Sequence, residues 1–223
     1  MADWSGEFGN QYNERNSDLD SRFSFWSKIV NAYDIDNVLE IGCNYGRNLL
    51  DLRETGVAVC GVDVNGEAAQ QAAHRGIEVH LSNGSDTDFN DNEFDMVFTC
   101  GVLIHQQTPQ LIAMMKEMVR TARTYVLFAE YRGQDEEVPY HNVKGSLFKR
   151  EFGEIFEQLF PEATRVGGGL QGWDSGFDNT DWWVYDVSNC TSSDGIREVS
   201  GEGGPQSEGP TFAPIPLETV RKG

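Results

Sequence analysis

The stretch VLEIGCNYGRNLL, residues 38–50, decides the fold. Its first half is an apolar run of strand length, its second half resumes apolar residues at helical spacing, and Gly42 and Gly46 break the chain between them. A strand that ends in Glu40, Ile41 and Gly42 and turns through Cys43, Asn44, Tyr45 and Gly46 into a helix presents backbone N–H groups at the carboxyl edge of a sheet. Open α/β sheets bind ligands at that edge. The dinucleotide fingerprint GxGxxG needs a second glycine where this chain has Asn44, so a diphosphate cofactor is disfavoured. Asp63 closes the next apolar run, followed by Val64, and a carboxylate there accepts hydrogen bonds from both hydroxyls of a ribose. Turn and acid together describe a nucleoside site without a pyrophosphate.

Outward from this turn the chain alternates. Runs at 37–41, 57–64, 77–81, 94–100 and 125–130 have strand length and are rich in β-branched or aromatic residues, which predicts buried strands. Helix-like stretches at 46–55, 66–75 and 109–122 lie between them, the pattern of a parallel α/β sheet covered on both faces. Ahead of the turn, Ser17 as N-cap and Leu19, Phe23, Trp26, Ile29, Val30 and Tyr33 at helical spacing predict an amphipathic helix. After it, the phenylalanine stripe of LFKREFGEIFEQLF (147–160) predicts a core helix stopped by Pro161, and runs at 163–170 and 180–187 finish the sheet. From Asn189 the chain is rich in Gly, Ser, Pro and Glu without periodicity, which predicts a disordered tail. The expected organisation is an N-terminal arm and helix over 1–36, a catalytic domain over 37–188 and the tail over 189–223.

With 223 residues the chain can bury a full core. Its formal net charge of −19 opposes nucleic acid and anionic membranes, because binding polyanions depends on Lys and Arg. Cys43, Cys60, Cys100 and Cys190 form no CxxC pair and no cluster at metal-ligand spacing, so no metal is expected and a reducing, cytoplasmic setting fits best. No basic region followed by an apolar stretch opens the chain, and no window approaches the length of a spanning helix.

The acidic residue before GxxxG and the acid ending the second strand resemble the class I S-adenosylmethionine-dependent methyltransferases over about residues 30–187. The resemblance implies a Rossmann-like, doubly wound, mostly parallel seven-stranded α/β sheet with helices on both faces and an antiparallel C-terminal hairpin. It implies S-adenosylmethionine as cofactor, with Glu40, Gly42, Cys43, Asn44 and Gly46 beside its methionine part and Asp63 on its ribose. The segment SNGSDTDFNDNEFDMV (82–97) resembles the family's loop before strand four, which makes Asn83, Gly84 and Ser85 candidates for the adenine. Gly101 and Val102 end the fourth strand, where the family faces the transferred methyl group.

Four further segments narrow the resemblance. WSGEFGNQYNERN (4–16), GVLIHQQTP (101–109), YHNVKGSLFKREFGEIFEQLFP (140–161) and DNTDWWVYD (178–186) are similar to the pseudaminic acid biosynthesis-associated methylases. The chain departs from them at Glu151, where Asp is usual, at Tyr185-Asp186, where a Lys is common, and in its tail. That likeness implies a small acidic amino sugar, or a related pathway intermediate, as acceptor. Methyl transfer from a sulfonium needs the acceptor held in line, with a base only if it arrives protonated. His105, just past the fourth strand, is the first candidate for that base, and Glu130 and Tyr131 at the end of strand five face the same edge. Tyr140, His141, Lys149 and Arg150 are candidates for an acidic acceptor. Tyr12 and Arg15 belong to a prospective lid anchored by Trp4 and Phe8, with Arg15 on the methionine carboxylate. Competing readings are a non-catalytic cofactor-binding scaffold, a macromolecule methylase, which lacks its [DNS]PP[YFW] or Pro-Cys motif here, and a nicotinamide oxidoreductase, which Asn44 opposes.

Overall fold

The computed structural model describes residues 3–15, 20–131, 133, 135–141, 143–172 and 176–190. The predicted tail therefore lies outside the described residues beyond Cys190, as do Ser17 and Leu19. One sheet of seven strands organises the chain: β1 (Asn37–Ile41), β2 (Ala58–Asp63), β3 (Glu78–Leu81), β4 (Phe94–Cys100), β5 (Ala122–Tyr131), β8 (Thr164–Gln171) and β9 (Thr180–Asp186). Their order is β3-β2-β1-β4-β5-β9-β8. Strands β1 to β5 pair in parallel, whereas β9 runs antiparallel to both β5 and β8. This is the Rossmann-like, doubly wound arrangement with an antiparallel C-terminal hairpin.

Two apolar layers cover the faces. Phe25, Trp26 and Ile29 of α2 (Phe23–Tyr33) and Leu49 and Leu52 of α3 (Arg47–Glu54) pack on one, with Ala72 of α4 (Gly66–His74). Leu111, Met115 and Met118 of α5 (Thr108–Thr121) and Phe152 and Phe156 of α6 (Phe152–Leu159) pack on the other. Burying one such side chain fully stabilises the fold by roughly 1.5–3 kcal/mol, so these helices are held by their apolar stripes more than by intrinsic propensity.

Three expectations are corrected. α2 begins at Phe23, capped by the backbone of Arg22 without a side-chain bond. β3 is the edge strand of the sheet, and Glu78, His80 and Leu81 are exposed along it. The 147–160 stripe is split, since Phe148–Lys149 form β7, which pairs with β6 (Glu136–Glu137) in a small separate sheet before α6 begins. The opening arm also folds: Glu7–Arg15 form helix α1.

Strand order reverses between β1, which continues outward to β2 and β3, and β4, which continues to β5 and β9. Such a switch point leaves a crevice at the carboxyl ends of the two central strands. Gly42 and Val102 meet there: a Cβ on Gly42 would lie 2.5 Å from Val102 Cγ2, and its φ of +77° is itself one that side chains rarely adopt.

Candidate active site

The crevice is a cavity of about 370 Å³. Among the residues expected at the site, Tyr12, Glu40, Gly42, Cys43, Asn44, Asp63, Val64, Asn83, Gly84, Gly101, Val102 and His105 line it. They come from α1, the carboxyl ends of β1 and β2, and the loops that follow β1, β2, β3 and β4.

The glycine turn differs from its expected role. Gly42 N and Cys43 N donate to Val62 O at 2.7 and 3.0 Å, and Gly46 N donates to Cys43 O at 2.8 Å. Asn44 N donates to Asp63 Oδ2 and Tyr45 N to Asn44 Oδ1, both at 2.7 Å. Every N–H from 42 to 46 thus has an internal acceptor, so the turn is no phosphate cradle. Gly46 faces Ile77 and Ala72 instead of the cavity, and Cys43 packs its sulfur against Gly61.

Asp63 accepts Asn44 N on one oxygen and Asn65 N on the other, the latter at 2.8 Å. A carboxylate has about four lone-pair sites, and the backbone donors of Asn44, Asn65 and Val64 leave capacity for a ribose hydroxyl. Burial pushes its carboxyl up, and the backbone donors oppose that shift. Glu40 is 1 % exposed; its Oε1 accepts Asn48 Nδ2 at 2.6 Å, while Oε2 has no partner. Burial raises its pKa to about 8. A buried carboxylate oxygen on a cavity wall suits a cation or a hydrogen-bond donor.

Two arginines line the same end. Arg22 Nε donates to Gly176 O at 2.8 Å and Nη1 to Asn48 Oδ1 at 3.1 Å, while its guanidinium lies 4.0 Å from the centre of the Phe177 ring. Arg47 bonds the carbonyls of Asp20 and Gly176. Arg15, expected here, is an exposed residue of α1 outside the lining, with its charge near Tyr140.

The first helix closes the mouth. Asn44 Nδ2 donates to Asn13 Oδ1 at 2.8 Å, and Asn65 Nδ2 donates to Asn10 Oδ1 at 2.8 Å and to Trp4 O at 3.0 Å. Trp4 meets the rings of Phe8, Tyr12 and His105 at 5.1, 5.4 and 4.4 Å, and Tyr140 lies 5.2 Å from His105. This aromatic cluster roofs the cavity beside Gly101, where a Cβ would meet nothing within 4 Å.

His105 Nδ1 lies 2.5 Å from Ser146 O. A carbonyl only accepts, so Nδ1 carries the proton and Nε2 is left as an acceptor. Burial lowers its pKa to about 4, which keeps the ring neutral.

Glu130 is placed otherwise than expected. It is fully buried and accepts Thr99 Oγ1, Val102 N, Leu103 N and Ile104 N between 3.1 and 3.2 Å, so it anchors the turn that carries His105 and does not line the cavity. Tyr131 donates to Asp178 Oδ2 at 2.8 Å, outside the lining. Ser85 donates to Asn83 Oδ1 and stays outside too. Arg150 is buried under the loop, donating to Gln106 O at 2.8 Å with its guanidinium over Phe148. Lys149 lies in β7 opposite Glu136, and His141 is exposed against Tyr140. The charges of Lys149 and Arg150 are thus placed away from the cavity.

Arg22, Arg47, Asn13, Asn48 and Asn65 line the cavity without having been expected. Asn65 carried a local signal, as the N-cap two residues beyond Asp63 that accepts Ala68 N. Arg22 and Arg47 carried none, since contacts with Gly176 and Asp20 place them.

A methyltransferase-domain family model matches residues 38–124, from the strand before the glycine turn to α5. No curated protein matches in sequence. Solved structures do match in shape. A Burkholderia thailandensis 1,6-didemethyltoxoflavin-N1-methyltransferase, with its substrate and S-adenosylhomocysteine bound, is 16% identical with a TM-score of 0.63, covering 79% of this chain and 82% of its own. An S-adenosylmethionine-dependent methyltransferase from Methanosarcina mazei is 17% identical with a TM-score of 0.58, covering 71% and 96%. The Synechocystis PCC 6803 magnesium protoporphyrin IX methyltransferase with bound S-adenosylmethionine is 14% identical with a TM-score of 0.56, covering 74% and 75%. At these identities the likeness to solved structures is one of fold, and the domain match adds the activity. With a methyltransferase domain over residues 38–124 that contains the glycine turn and Asp63, the chain is an S-adenosylmethionine-dependent methyltransferase.

Proposed function

We propose that this enzyme methylates a small acidic amino sugar, or a close relative of one, with His105 as the base that takes the acceptor's proton. The observation that carries the reading is the neutral His105 ring on the cavity wall, its Nδ1–H held by Ser146 O and its Nε2 left to accept.

The lining residues suit S-adenosylmethionine. Asp63 would take the ribose hydroxyls with the capacity its backbone donors leave, and Glu40 Oε2 would take the ammonium of the methionine part. Arg22, with Arg47 behind it, stands where a carboxylate is matched. Asn83 and Gly84 would border the adenine, where a Cβ on Gly84 would strike Ile41 Cγ2. When bound, the cofactor supplies an electrophilic methyl group on a sulfonium. His105 Nε2 would take the proton that the acceptor nitrogen or oxygen releases as it attacks, and Glu130 would hold the turn that sets this distance.

Trp4 and Tyr12 line the mouth of the cavity and Tyr140 stacks on Trp4, an aromatic setting suited to a small acceptor. The net charge of −19 disfavours a nucleic acid acceptor. Among the described residues no helix is long and apolar enough to cross a membrane. The four cysteines are all free, which suits a cytoplasmic setting. The sugar class rests on the likeness of residues 4–16, 101–109, 140–161 and 178–186 to the pseudaminic acid-associated methylases. Turnover should be screened with acidic amino sugars against their neutral and N-acetylated counterparts, by release of S-adenosylhomocysteine. Turnover confined to unrelated acceptors would overturn the sugar class.

Two tests address the wall and the roof. Because the folded pKa of Glu40 is raised to about 8 from 4.5, the cofactor-free fold binds more protons than the unfolded chain between those values and loses stability as pH rises through them. Glu40→Gln removes this loss, so its melting temperature should exceed that of the wild type at pH 8.5. Its affinity for S-adenosylmethionine should fall about tenfold or more, as for a lost bond to a charged group. Equal melting temperatures across pH would show that Glu40 is not buried as described. Trp4→Ala opens the roof and is expected to raise the cofactor dissociation constant about tenfold, read by calorimetry. Unchanged affinity would leave α1 as packing only.

A further inference from the structure

Sequence spacing shows no metal site, yet strand pairing creates a candidate for one. Cys60 of β2 stands directly opposite Glu78 of β3, and His80 follows two residues later on the same strand. In a parallel pair, residues opposite one another and residues two apart share one face. The thiol, the carboxylate and the imidazole therefore meet on one face at the edge of the sheet. Their ligand atoms all lie within 4.8 Å of one another, and His80 Nε2 is already 3.1 Å from Glu78 Oε1.

We propose that Cys60, Glu78 and His80 bind a zinc ion, at a site separate from the cofactor cavity. The donor set decides the metal: a sulfur, a ring nitrogen and one carboxylate suit borderline-soft Zn²⁺ and oppose Mg²⁺ or Ca²⁺, which take oxygen. Zinc–ligand bonds of about 2.0–2.3 Å in a tetrahedron require donors about 3.3–3.8 Å apart. The side chains of His80 and Glu78 are 44% and 73% exposed, so both can rotate the remaining distance towards the buried sulfur. A polar cavity of about 380 Å³ opens beside His80, lined also by Ser82, Asp86 and Asp88, and at this exposed edge solvent would supply the fourth ligand. The exposed contact between His80 and Glu78 contributes little to stability, which gives no reason of its own for a thiol to face them.

Without metal the Cys60 thiol is pushed up to about 12, first by burial and then by the nearby carboxylates of Glu78 and Glu93. A divalent cation reverses that balance: the same carboxylates attract it, and the thiol gives its proton to solvent on binding. Neither Cys60 nor His80 lines the cofactor cavity, so the site can be changed without touching the chemistry.

The test is a titration of the full chain, stripped with a chelator, with Co²⁺ as the visible probe and Zn²⁺ as competitor. A one-to-one complex with near-ultraviolet thiolate-to-cobalt absorption, displaced by Zn²⁺, is expected. Cys60→Ser should abolish that absorption, and His80→Ala, at an exposed position that leaves the core intact, should weaken Zn²⁺ binding at least tenfold while cofactor affinity stays as in the wild type. Absence of thiolate absorption, the same absorption in Cys60→Ser, or unchanged Zn²⁺ affinity in His80→Ala would each overturn the proposal.

Discussion

Replacing His105 with Gln is expected to lower kcat about 10²–10⁴-fold, the usual contribution of a positioned base, while leaving S-adenosylmethionine affinity within a few-fold of the wild type. The glutamine can still donate to Ser146 O, so the turn that Glu130 anchors should survive the change. The pH profile gives a second reading of the same residue. Burial lowers the His105 pKa to about 4, so the base form should persist well below the ordinary histidine range. The acid limb of kcat/KM is expected near pH 4 in the wild type and absent in His105→Gln. A limb near 6.5 would mean that the ring is solvated and that the roof of Trp4 and Tyr140 does not close over it.

The other large effect belongs to Asp63. Asp63→Ala removes both oxygens that would hold the ribose and also the acceptors of Asn44 N and Asn65 N. Bonds to a charged acceptor contribute about 1.5–3 kcal/mol each, so cofactor affinity should fall at least a hundredfold. Asp63→Asn separates the two roles, since its single carbonyl oxygen can keep one backbone bond. It should bind cofactor about tenfold less well with the melting temperature nearly retained. Wild-type affinity in Asp63→Ala, with an intact fold, would remove the ribose assignment and would leave His105 unaffected.

The sheet was legible because its strands are short apolar runs separated by helix-period segments, and β1, β2 and β4 end within a residue of where those runs end. β3 was misread as buried because Ile77, Val79 and Leu81 alternate apolar and polar residues as a half-covered strand does. Its edge position follows from strand order, which no local pattern contains. The split of the phenylalanine stripe escaped notice for a similar reason: Phe148 and Phe152 share helical spacing, but Lys149 pairs with Glu136 before the helix starts.

At the site, Gly42, Asp63 and His105 could be found from the residues around them. Glu130 ends its strand at the correct edge, but its carboxylate turns inward to four donors, a choice set by the turn at 102–104 that packs against it. Arg15 sits exposed at the last residue of α1, outside the lining, whereas Arg22, at the start of α2 and fixed by Gly176 and Phe177, lines the cavity. Long-range contacts of this kind leave no periodicity to read.

The central claim is that the cavity between β1 and β4 binds S-adenosylmethionine through Asp63 and Glu40. Calorimetric titration of the wild type and of Asp63→Ala with S-adenosylmethionine, S-adenosylhomocysteine and NADH tests it most directly. One-to-one binding of both sulfur compounds by the wild type, its loss in Asp63→Ala, and no response to NADH are the predicted result. Failure of the folded wild type to bind either sulfur compound would contradict the account.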